Sequence, residues 1–186
     1  MTWGDYGNIL AYGFISKNDD GEILIERVAP MIPDVYLYNK YIAVIDSVKK
    51  SVEQENLAGY YFKKAIKSKI VEIDWSSWDE TQKIPEKPKS GEPEDFILKR
   101  KHNVQLAEKT PDIWVMMINT TSTGMIDKSK IGISEYSHIQ LNLSDWDGSD
   151  IFRTPQLGHV FCTEKAKNVL EQNTNYLNFF EVEHKL

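Results

Sequence analysis

The chain carries a similar pattern near its beginning and at its end, and this repeat constrains the fold more than any other feature. Residues 42–62 read IAVIDSVKKSVEQENLAGYYF, and residues 160–180 read VFCTEKAKNVLEQNTNYLNFF. The two segments align without a gap at a constant shift of 118 positions, which takes Val48 to Ala166 and Glu53 to Glu171. A supersecondary unit that occurs twice would dictate how the rest of the chain is arranged.

In each copy, the spacing of the apolar residues is first that of a β-strand and then that of a helix. Residues 42–45 form a continuous apolar run, and Val48 and Val52 then fall four positions apart, on one face of a helix. We therefore predict two strand–helix–strand modules, at residues 35–65 and 158–183. The alternative is that two short units of a common type arose independently.

The chain length and composition favour one compact domain over residues 1–186. Of these residues, 41% are hydrophobic and 27% are charged, an ordinary globular balance. Residues 83–93 hold three prolines and a glycine among many charges, which predicts a long surface loop. The predicted fold class is α+β (mixed α/β), with the two modules joined through a mostly antiparallel or mixed sheet. The apolar strands 42–45 and 160–162 should lie in the interior of that sheet.

Other segments are assigned from their local patterns. Residues 22–28 and 138–143 alternate between faces and predict strands, and the apolar run 113–118 predicts a central strand. Residues 120–130 are polar and rich in turn formers, and we expect a connection there. The last residues, 183–186, are expected to fray.

Several classes of protein are disfavoured by composition. The single cysteine, Cys162, cannot form an internal disulfide, and a reduced cytoplasmic protein is the simplest interpretation. No apolar run approaches the roughly 20 residues of a membrane span, and the N-terminus lacks the pattern of a secretory signal. The net charge of -6 argues against nucleic acid as the partner and favours a basic protein.

Motifs for catalysis or cofactor binding are missing from the sequence. There is no glycine-rich phosphate loop, no dinucleotide fingerprint and no nucleophile elbow. The histidines, at positions 102, 138, 159 and 184, have no helical spacing and no neighbouring cysteine pair, so a zinc site is not expected. We predict no catalytic residue, no metal ligand and no cofactor.

Two weaker motifs have simpler structural interpretations. The acidic stretch 145–150 could surround a calcium ion, but Leu143 and Thr154 stand where an EF-hand loop needs acidic ligands. A surface loop with capping aspartates is preferred. Cys162 and His159 are three residues apart on a predicted strand, so their side chains should point to opposite faces, and a buried structural thiol is expected.

Tryptophans beside acidic residues are the best candidates for a partner-binding surface. Tryptophan is a favoured anchor of protein interfaces, and carboxylates attract a basic partner. The candidate residues are Asp74, Trp75, Trp78, Asp79, Glu80, Asp145, Trp146, Asp147 and Asp150. The alternative is that each indole covers a sheet edge while its neighbouring carboxylates remain in water.

The end of the chain resembles a family of bacterial immunity proteins from polymorphic toxin systems. The run Asp150-Ile151-Phe152-Arg153, then HVFCTEKAKNVLEQNTNYLNFFEVE, is similar to that family's C-terminal signature of a Phe-Arg stretch, a strand, a helix of the type sekvkeal and a closing strand. Family members also tend to carry an earlier copy of the module, here at residues 42–62. The closing glycine of the signature is replaced here by Tyr176 or Leu177.

The resemblance implies a cytoplasmic protein that binds and neutralises a cognate toxin, with no active-site residues. The expected function is therefore stoichiometric occlusion of a basic toxin domain, and not enzymatic turnover. The alternative is a small-ligand-binding protein or enzyme whose site is assembled from scattered residues such as His138, His159, Glu135 and Arg153. That alternative predicts one deep pocket with convergent polar groups.

Overall fold

The fold is α+β, as the sequence predicts, with three helices and three sheets in the described part of the chain. The computed structural model describes residues 14–28, 34–71, 100–132, 136–174 and 177–185. The strands are β1 Phe14–Lys17, β2 Ile23–Val28, β3 Val35–Tyr38, β4 Tyr41–Ile45, β5 Tyr60–Val71, β6 Ile113–Ile118, β7 Thr123–Ile126, β8 Ile139–Asn142, β9 Ile151–Arg153, β10 Val160–Cys162 and β11 Glu183–Lys185. The helices are α1 Asp46–Gln54, α2 Val104–Lys109 and α3 Glu164–Glu171, with a short 3-10 helix at Lys128–Lys130.

The largest sheet has six strands in the order β1-β2-β5-β6-β4-β3. It is mixed, because β2 and β5 run parallel while the other neighbouring strands run antiparallel. The twelve-residue strand β5 pairs with β6 over its first part and with β2 over its second part. The apolar run 113–118 forms β6 between β5 and β4, which confirms the predicted central strand.

Two smaller sheets follow in the second half of the chain, and they correct two predictions. One is the antiparallel hairpin β9–β10, and the other has the order β11-β8-β7. The polar segment 120–130, predicted as a connection, contains β7, and the end of the chain, predicted to fray, contains β11. Both strands are specified by pairing with β8, and local sequence carries little information about such pairing.

The helices α1 and α3 bury equivalent faces in one hydrophobic cluster. They begin at Asp46 and Glu164, which are related by the same shift of 118 positions as the sequence repeat. Val52 and Leu170 are both almost fully buried in the cluster, together with Ile151 of β9. The strand–helix half of each predicted module is therefore present, and both halves contribute to the same core.

The two modules differ in the environment of their strand and in the segment that follows their helix. In β4, residues 42–44 are buried on both faces, but β10 is only partly buried and pairs with β9 alone among the described residues. The prediction that 160–162 lies inside a shared sheet is therefore wrong. After α1 the chain forms β5, whereas residues 177–182 after α3 are not in a strand. Duplication of a whole strand–helix–strand unit stays a prediction.

The chain between α1 and β5 makes a close backbone contact with the loop before β9. We call residues 58–59 and 149–151 the junction. The backbone N–H of Ala58 donates to Oδ2 of Asp150 at 2.9 Å, and the N–H of Ile151 donates to the carbonyl oxygen of Ala58 at 3.1 Å. Gly59 lies so close that a Cβ atom there would be 2.0 Å from the carbonyl oxygen of Ile151. The junction thus joins the first half of the chain to the second.

No helix within the described ranges has the length and apolar character that crossing a bilayer requires. The predicted surface loop at residues 83–93 lies outside the described residues.

Candidate functional site

A groove of about 650 Å³ runs beside the hairpin β9–β10. Its other walls are β8, the start of α3 and residues 178–182, which precede β11. The volume is within the roughly 300–1,000 Å³ range of typical ligand sites in proteins. It is the strongest candidate for a functional site in the part of the chain that the structure describes.

A continuous row of aromatic rings lines this groove. We call it the aromatic row: Trp146, Phe152, Phe161, His159, Tyr136 and Phe180. In this order, the centroids of neighbouring rings are 4.7 to 6.3 Å apart. Phe152 is buried at one part of the row, whereas Phe180 is 46% exposed at its end. The row therefore gives the groove a large apolar surface that is partly open to water.

The register of the β9–β10 hairpin explains how the row is built. Phe161 lies directly opposite Phe152, and opposite residues in an antiparallel pair project to the same face. The indole N–H of Trp146 donates to the carbonyl oxygen of Ser149 at 3.1 Å, which fixes its ring beside Phe152. Tyr136 then connects the hairpin to the C-terminal segment, because its ring contacts both His159 and Phe180.

The groove has an excess of negative charge where α3 begins. Lys167 pairs with Glu164 at 3.3 Å. The hydrogen bond and charge of Glu164, followed by the charges of Glu171 and Glu181, raise the pKa of Lys167 above its usual value. Glu164 and Glu181 line the groove, whereas Glu171 ends α3 and does not; we call Glu164 and Glu181 the acidic rim. Two carboxylates there stand against the one ammonium group of Lys167, so a cation would be attracted to this end of the groove.

The predicted partner-binding residues fall into two groups. Asp74, Trp75, Trp78, Asp79 and Glu80 lie outside the described residues. The others, Asp145, Trp146, Asp147 and Asp150, share one loop, and Trp146 begins the aromatic row.

Two of the aspartates in this loop form hydrogen bonds within the protein. Oδ1 of Asp147 accepts from the backbone N–H of Ser149 at 2.9 Å and from its hydroxyl at 2.6 Å, and these bonds lower the pKa of Asp147. Asp150 accepts from Ala58 and, at 2.9 Å, from the hydroxyl of Thr163, which caps α3. The expected surface turn is therefore present, but its aspartates do not themselves cap a helix: Asp147 closes the turn through Ser149, and Thr163 is the N-cap of α3. Asp145 is exposed.

Apart from Trp146, His159 and Cys162, the residues of the groove named here were not singled out from the sequence as candidates for a site. Phe152 and Phe161 belong to the stretch that resembles the immunity-protein signature, but nothing in their spacing indicates that their rings are opposite each other. Tyr136 and Phe180 come from segments far apart in the chain. Because the row is assembled by tertiary contacts, the sequence singled out only Trp146, as an interface anchor, and His159, as a residue of the alternative site.

The alternative site residues are partly brought together. His138 and His159 both contact the ring of Tyr136, at centroid distances of 6.5 and 5.7 Å. Nε of Arg153 on β9 is buried and has no hydrogen-bond partner among the described residues, and Glu135 lies outside them. No cluster of three or more His, Cys, Asp or Glu that could hold a metal ion occurs in the described ranges.

Cys162 lines the groove, and its environment disfavours the thiolate. Burial, and to a smaller extent the charge of Glu164, raises the pKa of Cys162 from 9.0 to about 11. The ring of His159 contacts Tyr136 and Phe161, as a member of the aromatic row. The thiol is therefore poorly suited to nucleophilic chemistry near neutral pH.

We expect Cys162 to react slowly with thiol reagents in the folded protein. A pKa near 11 makes the thiolate about 100-fold scarcer at pH 8 than a pKa of 9.0 would. The check is the rate of reaction with Ellman's reagent in native buffer and after denaturation in guanidinium. Equal rates in the two conditions would contradict this account of the thiol.

Comparison with known proteins does not assign the chain to a family. No protein-family model matches it, and no curated protein or solved structure is significantly similar to it. The resemblance to bacterial immunity proteins therefore stays a prediction.

Proposed function

We propose that this protein is a bacterial immunity protein that neutralises a cognate toxin domain in the cytoplasm by stoichiometric binding. The observation that supports this most strongly is an exposed aromatic groove with an acidic rim. Aromatic side chains dominate the energetic centres of protein interfaces, and complementary charge accelerates the encounter of two proteins. The net charge of -6 favours a basic partner.

The proposed mode of action is that the protein binds the toxin and blocks its site, without catalysing a reaction. The aromatic row supplies apolar surface that a partner would bury, and Phe180 is already accessible at 46% exposure. The acidic rim would attract basic residues at the mouth of the toxin's own site. Binding across such a site excludes the toxin's substrate, so no chemical step by this protein is required.

Co-expression with the product of the adjacent gene tests this proposal. If that product is a toxin, we expect the chain to restore growth of cells that express it and to co-purify with it in a 1:1 complex. The matched control is the unchanged chain expressed with an unrelated toxin of similar charge, which should not be neutralised. Growth arrest in the presence of the chain, with both proteins eluting separately, would refute the proposal.

A small-ligand-binding protein or enzyme is the second candidate. The observation that favours it is that Tyr136 and His159 line a groove of about 650 Å³, and that the ring of Tyr136 also contacts His138, which is not part of the lining. This function predicts that a small molecule raises the melting temperature of the chain and that His159→Ala abolishes the increase. This candidate would be excluded if a thermal-shift screen found no such compound and the chain formed a complex with the toxin.

A further inference from the structure

We propose that the groove binds a single segment of the partner protein in which an arginine or lysine lies beside aromatic or aliphatic side chains. This inference rests on the proposed function and specifies the part of the partner that is bound. It assigns the apolar side chains to the aromatic row and the cation to the acidic rim.

The shape and lining of the groove favour a protein segment. The walls come from β8, the β9–β10 hairpin, α3 and residues 178–182, and the ring of Phe180 in the last of these is 46% exposed. Grooves that bind extended peptides obtain specificity from pockets that take alternate side chains of the peptide, and the aromatic row offers apolar surface for such side chains. An arginine or lysine within about 6 Å of an aromatic ring centroid is attracted to the ring, and the exposed ring of Phe180 is the member of the row at which such a contact is expected.

The charges around the groove select the sign of the bound segment. Glu164 forms an ion pair with Lys167, and Glu181, from the segment before β11, is close enough for its charge to act on Lys167 as well. The charged side chains that line this end of the groove are therefore Glu164 and Glu181 against Lys167, an excess of one carboxylate. The two carboxylates are exposed to water, so their attraction for a cation should be screened by salt.

A selection experiment tests the inference without knowledge of the partner. The full chain is immobilised and panned with a phage-displayed library of random dodecapeptides. We expect enriched peptides to combine arginine or lysine with aromatic or aliphatic residues. A synthetic copy of the most enriched peptide should bind the chain in fluorescence anisotropy, and its affinity should fall as salt is added.

Matched variants locate that binding. Phe180→Ala and Glu181→Lys should each weaken peptide binding by about tenfold or more, since they remove an anchor ring and reverse a charge of the rim. The controls Tyr61→Ala and Glu108→Lys alter an exposed ring on β5 and an exposed carboxylate on α2, and should change the affinity by less than about twofold. Circular dichroism checks that all four variants fold.

The inference is overturned if no peptides are enriched, if the enriched peptides are acidic, or if the groove variants bind as tightly as the controls. The same variants separate this inference from the proposed function. A toxin complex that forms equally well with Phe180→Ala and Glu181→Lys would leave neutralisation intact and refute only the groove as its site.

Discussion

Gly59→Ala should lower the free energy of unfolding by about 4 kcal/mol, the largest effect we expect from a single methyl group in this chain. The added Cβ would lie 2.0 Å from the carbonyl oxygen of Ile151 and 2.7 Å from Cβ of Ser149. Gly59 also has φ of +102°, which L-residues rarely adopt. Backbone hydrogen bonds from Ile151 to Ala58 and from Asn119 to Gly59 prevent an easy displacement of either strand.

Gly148→Ala is the matched control for this prediction. Gly148 has a similar positive φ of +85°, but no atom lies within 4 Å of the position that a Cβ would take. It should therefore show only the backbone penalty, about 1 kcal/mol. Urea denaturation measures both variants, and the difference corresponds to roughly 10 °C in melting temperature for a chain of this size. Equal losses in the two variants would show that the junction is not tightly packed.

Asp150→Ala should cost about 2–3 kcal/mol, because it removes the acceptor from two donors at the junction. One carboxylate oxygen accepts from the backbone N–H of Ala58 and the other from the hydroxyl of Thr163, both at 2.9 Å. The ammonium of Lys165 lies 3.9 Å away, and the Asp150 side chain is only 15% exposed. Loss of the carboxylate therefore weakens both the junction and the N-terminal cap of α3.

Asp145→Ala, in the same loop, provides the comparison for Asp150→Ala. Asp145 is exposed, and its replacement should change the free energy of unfolding by less than about 0.5 kcal/mol. Both variants can be measured by urea denaturation at neutral pH. If Asp145→Ala were as destabilising as Asp150→Ala, the effect would come from the loop's charge and not from the two hydrogen bonds.

The junction and the groove are connected through the loop that joins β8 to β9. Asp150 holds one end of this loop against Ala58, and Trp146 begins the aromatic row within the same loop. The indole is fixed by its hydrogen bond to the carbonyl oxygen of Ser149, which is itself part of the junction. Stability and the shape of the candidate site therefore depend on the same few contacts.

Much of the local structure could be predicted because it depends on residues close in sequence. Val48 and Val52 predicted the buried face of α1, and the aligned positions in the second copy, Ala166 and Leu170, are buried in α3. The strands β7 and β11 could not be predicted in this way, since both are defined by their pairing with β8.

The candidate site was less accessible to sequence analysis. Trp146 was identified because acidic residues flank it, but Tyr136 and Phe180 meet only in the folded chain. The excess charge of the rim likewise depends on Glu181 approaching Lys167 from a different segment. A site built from five separate segments leaves no continuous motif in the sequence.

Titration of a purified toxin domain with the chain tests the central claim most directly. The measured quantity is residual toxin activity against the molar ratio of the two proteins, at concentrations well above the dissociation constant. Stoichiometric occlusion predicts a linear fall that ends at one equivalent, with active toxin recovered after the complex is separated. Complete inactivation by a small fraction of an equivalent would indicate turnover, and would contradict the account of this protein as a binding surface.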